Sequence, residues 1–215
     1  RGSSHLAKPT SSALMDVQPL RGDRSRYEDA FKRFDQANAE DPDRLIVDGL
    51  SQPKALVYAV RMTDRLTQFA PEASEPLRLA ARCQHIRRWT IPRAKFPAGR
   101  TGYRLWRKTL SVFHAKTAAD ILWTVGYDEA TVGRVETLLR KDNLKSDQEV
   151  QTLEDVACLV FLENYLSDFT SNRDETMVVD VLGKTWRKMS ERGRAAALDL
   201  DIPVDLKTLV TRAVR

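Results

Sequence analysis

The sequence has no long apolar run and only two cysteines. None of its apolar stretches approaches the ~20 residues that a helix needs to cross a bilayer, and no signal-peptide core is visible. Cys83 and Cys158 lie in apolar helical contexts without metal-type spacing, so we expect buried free thiols in a reducing compartment. There is also no phosphate-cradling glycine loop, serine nucleophile elbow or CxxC pair. These absences predict a cytoplasmic protein with no membrane partner.

Acidic residues are missing from one segment, residues 76–119. It carries eleven lysines and arginines, whereas the rest of the chain carries 24 basic against 30 acidic residues. Such a segment repels itself when folded unless an anion lies near it. A phosphate-bearing ligand, a nucleic-acid backbone or acidic helices from elsewhere in the chain could all serve, and the sequence leaves these alternatives open.

Helical periodicity accounts for most of the chain, and no alternating β-branched run predicts a strand. The longest predicted helices cover residues 24–39, 53–69, 103–125, 148–167 and 176–192. Trp89–Gly102 interrupts them with two prolines and two glycines, and its length and charge indicate a functional loop.

We therefore predict an all-α fold that forms a single domain over residues 21–215. Its core would cover about residues 53–168, and a helical extension would cover residues 174–215. Residues 1–20 are polar, small and aperiodic, which is typical of a flexible leader or an expression remnant.

The segment Thr152–Leu166 is apolar on nearly every helical face, which is typical of a helix buried at the centre of a domain. Glu154 and Asp155 stand near its start, and a buried carboxylate is costly unless a cation, a metal or several donors meet it. The two acids either favour the positive helix N-terminus and a nearby arginine, or they belong to a ligand site.

Three motifs along the chain carry a resemblance in layout. They are LAARCQHIRRW (residues 79–89), FHAKTAADILWTVGYDEATVGRVETLLRK (residues 113–141) and LEDVACLVFLE (residues 153–163). Their order resembles the HD-domain superfamily of helical metal-dependent phosphohydrolases. The resemblance implies that His85, His114 and Asp155 hold a divalent Zn, Mn or Fe ion, with Asp155 and His114 in catalytic roles.

The chain also departs from the HD pattern. Arg61 occupies roughly the position of the first histidine, Ile86 replaces the aspartate of the defining pair, and Lys141 replaces a later histidine. Arginine and lysine are cations that cannot coordinate a metal, and they could instead take its place as the positive charge. His85 and His114 each also fit an ordinary structural histidine.

The stretch from His85 to Lys108 is the strongest candidate for ligand binding, although a solvated basic face is its simpler explanation. Arginine offers forked donors to phosphate oxygens, and Trp89 offers a face for stacking a base. The candidate phosphate-binding cations are Arg61, Arg87, Arg88, Arg93, Arg100, Arg104 and Lys141.

A second resemblance covers residues 27–212. It rests on FDQANAEDP, VRMTDRL, QHIRRWTIPR, GYRLWRKTL, FHAKTAADIL, TLEDVACLVFLE and KTWRKMSERG. With these motifs the chain resembles a family named only as domain of unknown function 4202, which implies no particular activity.

Two hypotheses of function follow. In the first, the chain binds a phosphorylated small molecule or nucleotide in its helical core and hydrolyses it with metal help. In the second, it is a non-catalytic module that binds a nucleotide or RNA through the basic loop 85–108. The retained histidines favour the first hypothesis, and Arg61 with Ile86 favours the second.

Overall fold

The computed structural model describes residues 21–171 and 173–213, and the predicted leader lies outside them. The predicted all-α fold is confirmed. The helices are α1 (Arg21–Ala39), α2 (Lys54–Phe69), α3 (Glu75–Cys83), α4 (Gly99–Val125), α5 (Glu129–Arg140), α6 (Gln148–Asn164), α7 (Leu166–Ser171), α8 (Glu175–Lys188), α9 (Glu191–Leu198) and α10 (Val204–Ala213). Among these described helices, none combines the length and apolarity that crossing a bilayer requires.

A small hairpin between α1 and α2 corrects the prediction that the chain has no strand. Strands β1 (Arg44–Val47) and β2 (Leu50–Pro53) pair antiparallel, with Val47 opposite Leu50. Asp48 and Gly49 connect them with φ angles of 51° and 77°. A two-residue turn with both central residues at positive φ suits the twist of a hairpin, and Asp-Gly is a preferred pair for it.

Helix α6 lies at the centre of the fold, as its all-round apolarity predicted. It packs against α2, α3, α5 and α9. Leu153, Val156 and Leu159 are fully buried in the core, and Glu154 and Asp155 are buried with them at 5% and 2% exposure. The helix therefore brings two carboxylates into the interior, where each must have partners.

The C-terminal region differs from the single helix predicted over residues 176–192. Helix α8 ends at Lys188, Met189 is extended, and Ser190 caps α9 by accepting a hydrogen bond from the Gly193 N–H. Gly193 therefore lies inside α9 rather than ending a helix. The predicted helix over residues 148–167 is likewise divided, between α6 and α7.

The irregular segment between α3 and α4 is held by its own side chains. It contains two 3-10 turns, Arg88–Thr90 and Arg93–Lys95, and α4 begins at Gly99, earlier than predicted. Arg93 donates to the carbonyl oxygens of Phe96 and Pro97 at 2.9 and 2.8 Å. A Cβ at Gly102 would fall 1.8 Å from the Pro97 oxygen, so this close approach of loop and helix requires glycine.

Candidate ligand-binding cavity

A cavity of about 700 Å³ opens between α2, the segment that links α3 to α4, α4, α6 and α8. Its wall combines aromatic and charged side chains in one space. The aromatic lining is formed by Tyr58, Trp89, Trp106, Phe161, Tyr165 and Phe169. This mixture of flat apolar faces and a few polar groups is typical of small-molecule sites.

Two lining arginines face the cavity without a carboxylate partner. Arg88 lies with its guanidinium carbon 4.7 Å from the centre of the Trp106 ring, and Arg107 lines the same wall. Neither forms an ion pair within the described part of the chain. Burial and then the nearby charge of Arg107 lower the pKa of Arg88 to about 10, so Arg88 remains a cation at neutral pH. An anion placed here would relieve their repulsion.

Glu154 is a buried carboxylate of the cavity wall and lies between two lysines. Lys141 donates to its Oε2 atom, and the Lys188 Nζ atom stands 3.7 Å from its Oε1 atom. Burial alone would raise the pKa of Glu154, but Lys141 and the more distant cations outweigh it and the pKa is lowered. The carboxylate is ionised at neutral pH and leaves this group with excess positive charge.

The two predicted histidines meet, and both are held neutral. The His85 ring stacks on Tyr58 with centroids 4.4 Å apart, and its centroid is 5.7 Å from that of His114. Nδ1 of His114 donates to the Ile86 carbonyl at 2.8 Å, whereas its buried Nε2 has no hydrogen-bond partner in the described structure. Burial lowers the pKa of His114 to about 3 and also lowers that of His85.

Asp155 is not directed to the histidines as a metal ligand would be. Its carboxylate accepts hydrogen bonds from Gln151 Nε2 at 3.0 Å, from the Ser190 N–H at 2.9 Å and from the Ser190 hydroxyl. Over the residues that the structure describes, no group of three or more His, Cys, Asp or Glu could hold a metal. The triad His85, His114 and Asp155 is therefore not assembled, and these residues do not fit the metal that the HD resemblance implies.

The predicted phosphate-binding cations divide into two groups. Arg88 and Lys141 line the cavity with Trp89. The remaining five do not line it. Arg87 pairs with Glu40, Arg93 donates to a carbonyl oxygen of its own loop, and Arg61 lies over the Tyr165 ring. Arg100 and Arg104 are exposed on α4.

Several cavity residues were missed from the sequence. Gln84 is adjacent to the predicted His85, and this position just after α3 could have indicated it. Tyr58, Phe161 and Lys188 had no such signal, because apolar or basic periodicity alone does not separate a cavity wall from a core or a surface.

Over the described residues, the fold and the cavity define an all-α protein with an aromatic, cationic cavity of ligand size. The chain belongs to the family described as domain of unknown function (DUF4202), whose family model matches residues 28–210. Searches of curated proteins and of solved structures gave no match. The resemblance to the HD-domain superfamily stays a prediction.

Proposed function

We propose that this protein binds a phosphorylated small molecule with an aromatic group, such as a nucleotide, in the cavity. The observation that carries the proposal is the Arg88–Arg107 pair, because two partly buried cations that line one cavity and repel each other, without an ion-pair partner among the described residues, favour an anion between them. Guanidinium groups match the oxygens of a phosphate, which favours phosphate over a carboxylate of similar size.

The aromatic wall supports the other half of the ligand. Trp89 and Trp106 are close in sequence to the two arginines. Phe161 on α6 and Tyr165 at the C-terminal end of α6 line the same cavity. A planar base is stabilised by stacking on such faces, and a volume of about 700 Å³ is within the range of small-molecule pockets.

The proposal concerns binding, and it includes no metal-assisted step. Asp155 is saturated by Ser190 and Gln151, and Lys141 supplies a fixed positive charge close to Glu154. These features support the second hypothesis, in which cations replace the metal, over the first.

Titration calorimetry with ATP, AMP and adenosine tests the proposal. We expect wild-type protein to prefer the nucleotides over adenosine, and Arg88→Ala to weaken AMP binding by about 10–100-fold, since hydrogen bonds to charged groups contribute about 1.5–3 kcal/mol. Arg104→Ala, an exposed change outside the cavity, is the matched control and should leave the affinity unchanged. Equal affinity for AMP and adenosine in the wild type would contradict a phosphate site.

A second candidate function, RNA binding, is favoured by the surface of α4. Arg100, Arg104 and Lys108 follow one another at four-residue spacing on its exposed side, with Lys116 two turns further on. None of the four has an ion-pair partner among the residues described. We propose that this cationic stripe contacts a phosphate backbone, with the exposed Tyr103 beside it available for stacking.

A further inference from the structure

Gln84 is a buried amide without a partner in the wall of the cavity. It is 4% exposed and follows the last turn of α3, next to His85. Both of its polar atoms, Nε2 and Oε1, are buried, and neither has a hydrogen-bond partner in residues 21–171 and 173–213. Two other buried polar groups in this wall have partners: Asp41 accepts from the N–H groups of Asp43 and Ala55 at 3.0 and 2.8 Å, and Glu154 is paired with Lys141.

An unpaired buried carboxamide destabilises the ligand-free protein, since its two donors and its acceptor have lost water without replacement. An apolar side chain of similar length, such as methionine, would fill this position without that cost. A ligand that supplies a donor and an acceptor side by side would satisfy both atoms at once.

We infer that Gln84 pairs with the hydrogen-bonding edge of a nucleobase and makes the cavity selective for nucleotides over phosphorylated sugars. A carboxamide presents its donor and acceptor in one plane, as does the edge of a base, whereas sugar hydroxyls are neither paired nor planar. The inference rests on the proposed function, because the arginines hold the phosphate and Gln84 reads the base.

The test combines a change in the protein with a change in the ligand. Dissociation constants are measured by calorimetry for AMP, GMP, CMP, UMP and ribose 5-phosphate, which lacks a base. In Gln84→Met, we expect the tightest of the four nucleotides to bind about 10–100-fold more weakly, while ribose 5-phosphate binds as it does to the wild type. Gln68→Met, an exposed change on α2, is the matched control and should alter neither.

Two further readouts separate recognition from packing. The ionised glutamate of Gln84→Glu only accepts hydrogen bonds, so this variant should shift the order of the four nucleotides toward GMP, whose base offers two adjacent donors. Without ligand, Gln84→Met should melt about 2–6 °C above the wild type, because an unsatisfied amide has been removed.

The outcomes are distinct. If Gln84→Met weakens ribose 5-phosphate as much as the nucleotides, or weakens neither, the inference is overturned and the phosphate site stands. If wild-type protein binds none of the five compounds, the proposed function is overturned and the inference with it.

Discussion

At the scale of single residues, Asp155 determines where the chain turns between α8 and α9. It accepts from the backbone and hydroxyl of Ser190, and Ser190 in turn caps α9 through the Gly193 N–H at 3.0 Å. A Cβ at Gly193 would lie 2.5 Å from the Asp155 Cγ atom, so glycine at this position lets α9 approach the carboxylate. The contacts of Asp155 therefore explain its burial as a structural anchor.

Replacing this anchor should cost stability. We expect Asp155→Ala to lower the free energy of unfolding by about 2–4 kcal/mol, because the Ser190 donors and Gln151 are left without their acceptor in the interior. Urea denaturation measures the change, and Asp168→Ala, an exposed change on α7, is the control. Near wild-type stability in Asp155→Ala would show that these hydrogen bonds contribute little to the free energy of unfolding, and it would favour a ligand-binding role for this residue.

The candidate site was predictable only in part, because a long side chain can contact any of several partners and the sequence does not say which. Arg88, Trp89, His85 and Lys141, which the sequence singled out for a ligand or metal site, line the cavity, and their roles there stay predictions. Arg93, from the same basic loop, instead donates to the loop's own carbonyl oxygens. Composition and spacing identify a cation but not which of several acceptors its long side chain reaches, so the choice between ligand and backbone required the fold.

At the scale of elements, the end of α4 at residue 125 was predicted correctly, because local residues set it. Gly126 at φ 88° ends α4, and Asp128 caps α5 through the Thr131 N–H, both of which are encoded within a few residues. The break at Met189 was missed although Ser190 is a typical N-cap residue, and the contacts of Ser190 with Asp155 on α6 are not visible in the local sequence. The hairpin was missed although Asp48-Gly49 between apolar residues is a recognised turn signal.

The cationic stripe on α4 gives a prediction for this element. We expect the triple variant Arg100→Ala, Arg104→Ala and Lys108→Ala to weaken binding to single-stranded RNA by about 10-fold or more in 100 mM salt, and to reduce the slope of log K against log[salt] by about 2. Fluorescence anisotropy with a labelled oligouridine measures both quantities. The fold should be unaffected, because these side chains are exposed.

A matched triple variant on another surface provides the control for this experiment. Lys32→Ala, Arg33→Ala and Lys207→Ala removes the same charge from exposed positions on α1 and α10 and should leave RNA binding nearly unchanged. An equal loss in both triple variants would assign the effect to net charge and contradict a site on α4. Undetectable binding by the wild type would contradict the second candidate function altogether.

At the scale of the whole molecule, the fold distributes the charge of the acid-free segment between two environments. Two arginines of that segment pair with acids in and just after α1: Arg82 with Asp35 at 2.6 Å, and Arg87 with Glu40 at 2.8 Å. Arg88 and Arg107 are left facing the cavity instead. Of the three alternatives that the sequence left open, acidic helices therefore account for part of the positive excess, and the cavity concentrates another part.

The same interior buries two neutral imidazoles, and this determines how global stability depends on pH. Folding lowers the pKa of His114 from 6.5 to about 3, chiefly through burial. Between those values the unfolded chain binds a proton that the folded chain does not. The contribution of His114 is therefore fully present above about pH 6.5 and is lost as the pH falls, at up to about 1.4 kcal/mol per pH unit.

We expect His114→Asn to flatten this dependence, because the asparagine amide can still donate to the Ile86 carbonyl but does not titrate. Urea denaturation from pH 6 to pH 4.5 should show the wild type losing about 1–2 kcal/mol more stability than the variant over that interval. Phe113→Leu, a non-titrating change on the neighbouring residue, should lower stability at every pH without altering the slope. Parallel slopes for the wild type and His114→Asn would mean that the His114 ring accepts a proton in the folded protein. We do not expect this outcome, because the charges of Arg88, Arg107 and Lys141 all lower the pKa of His114.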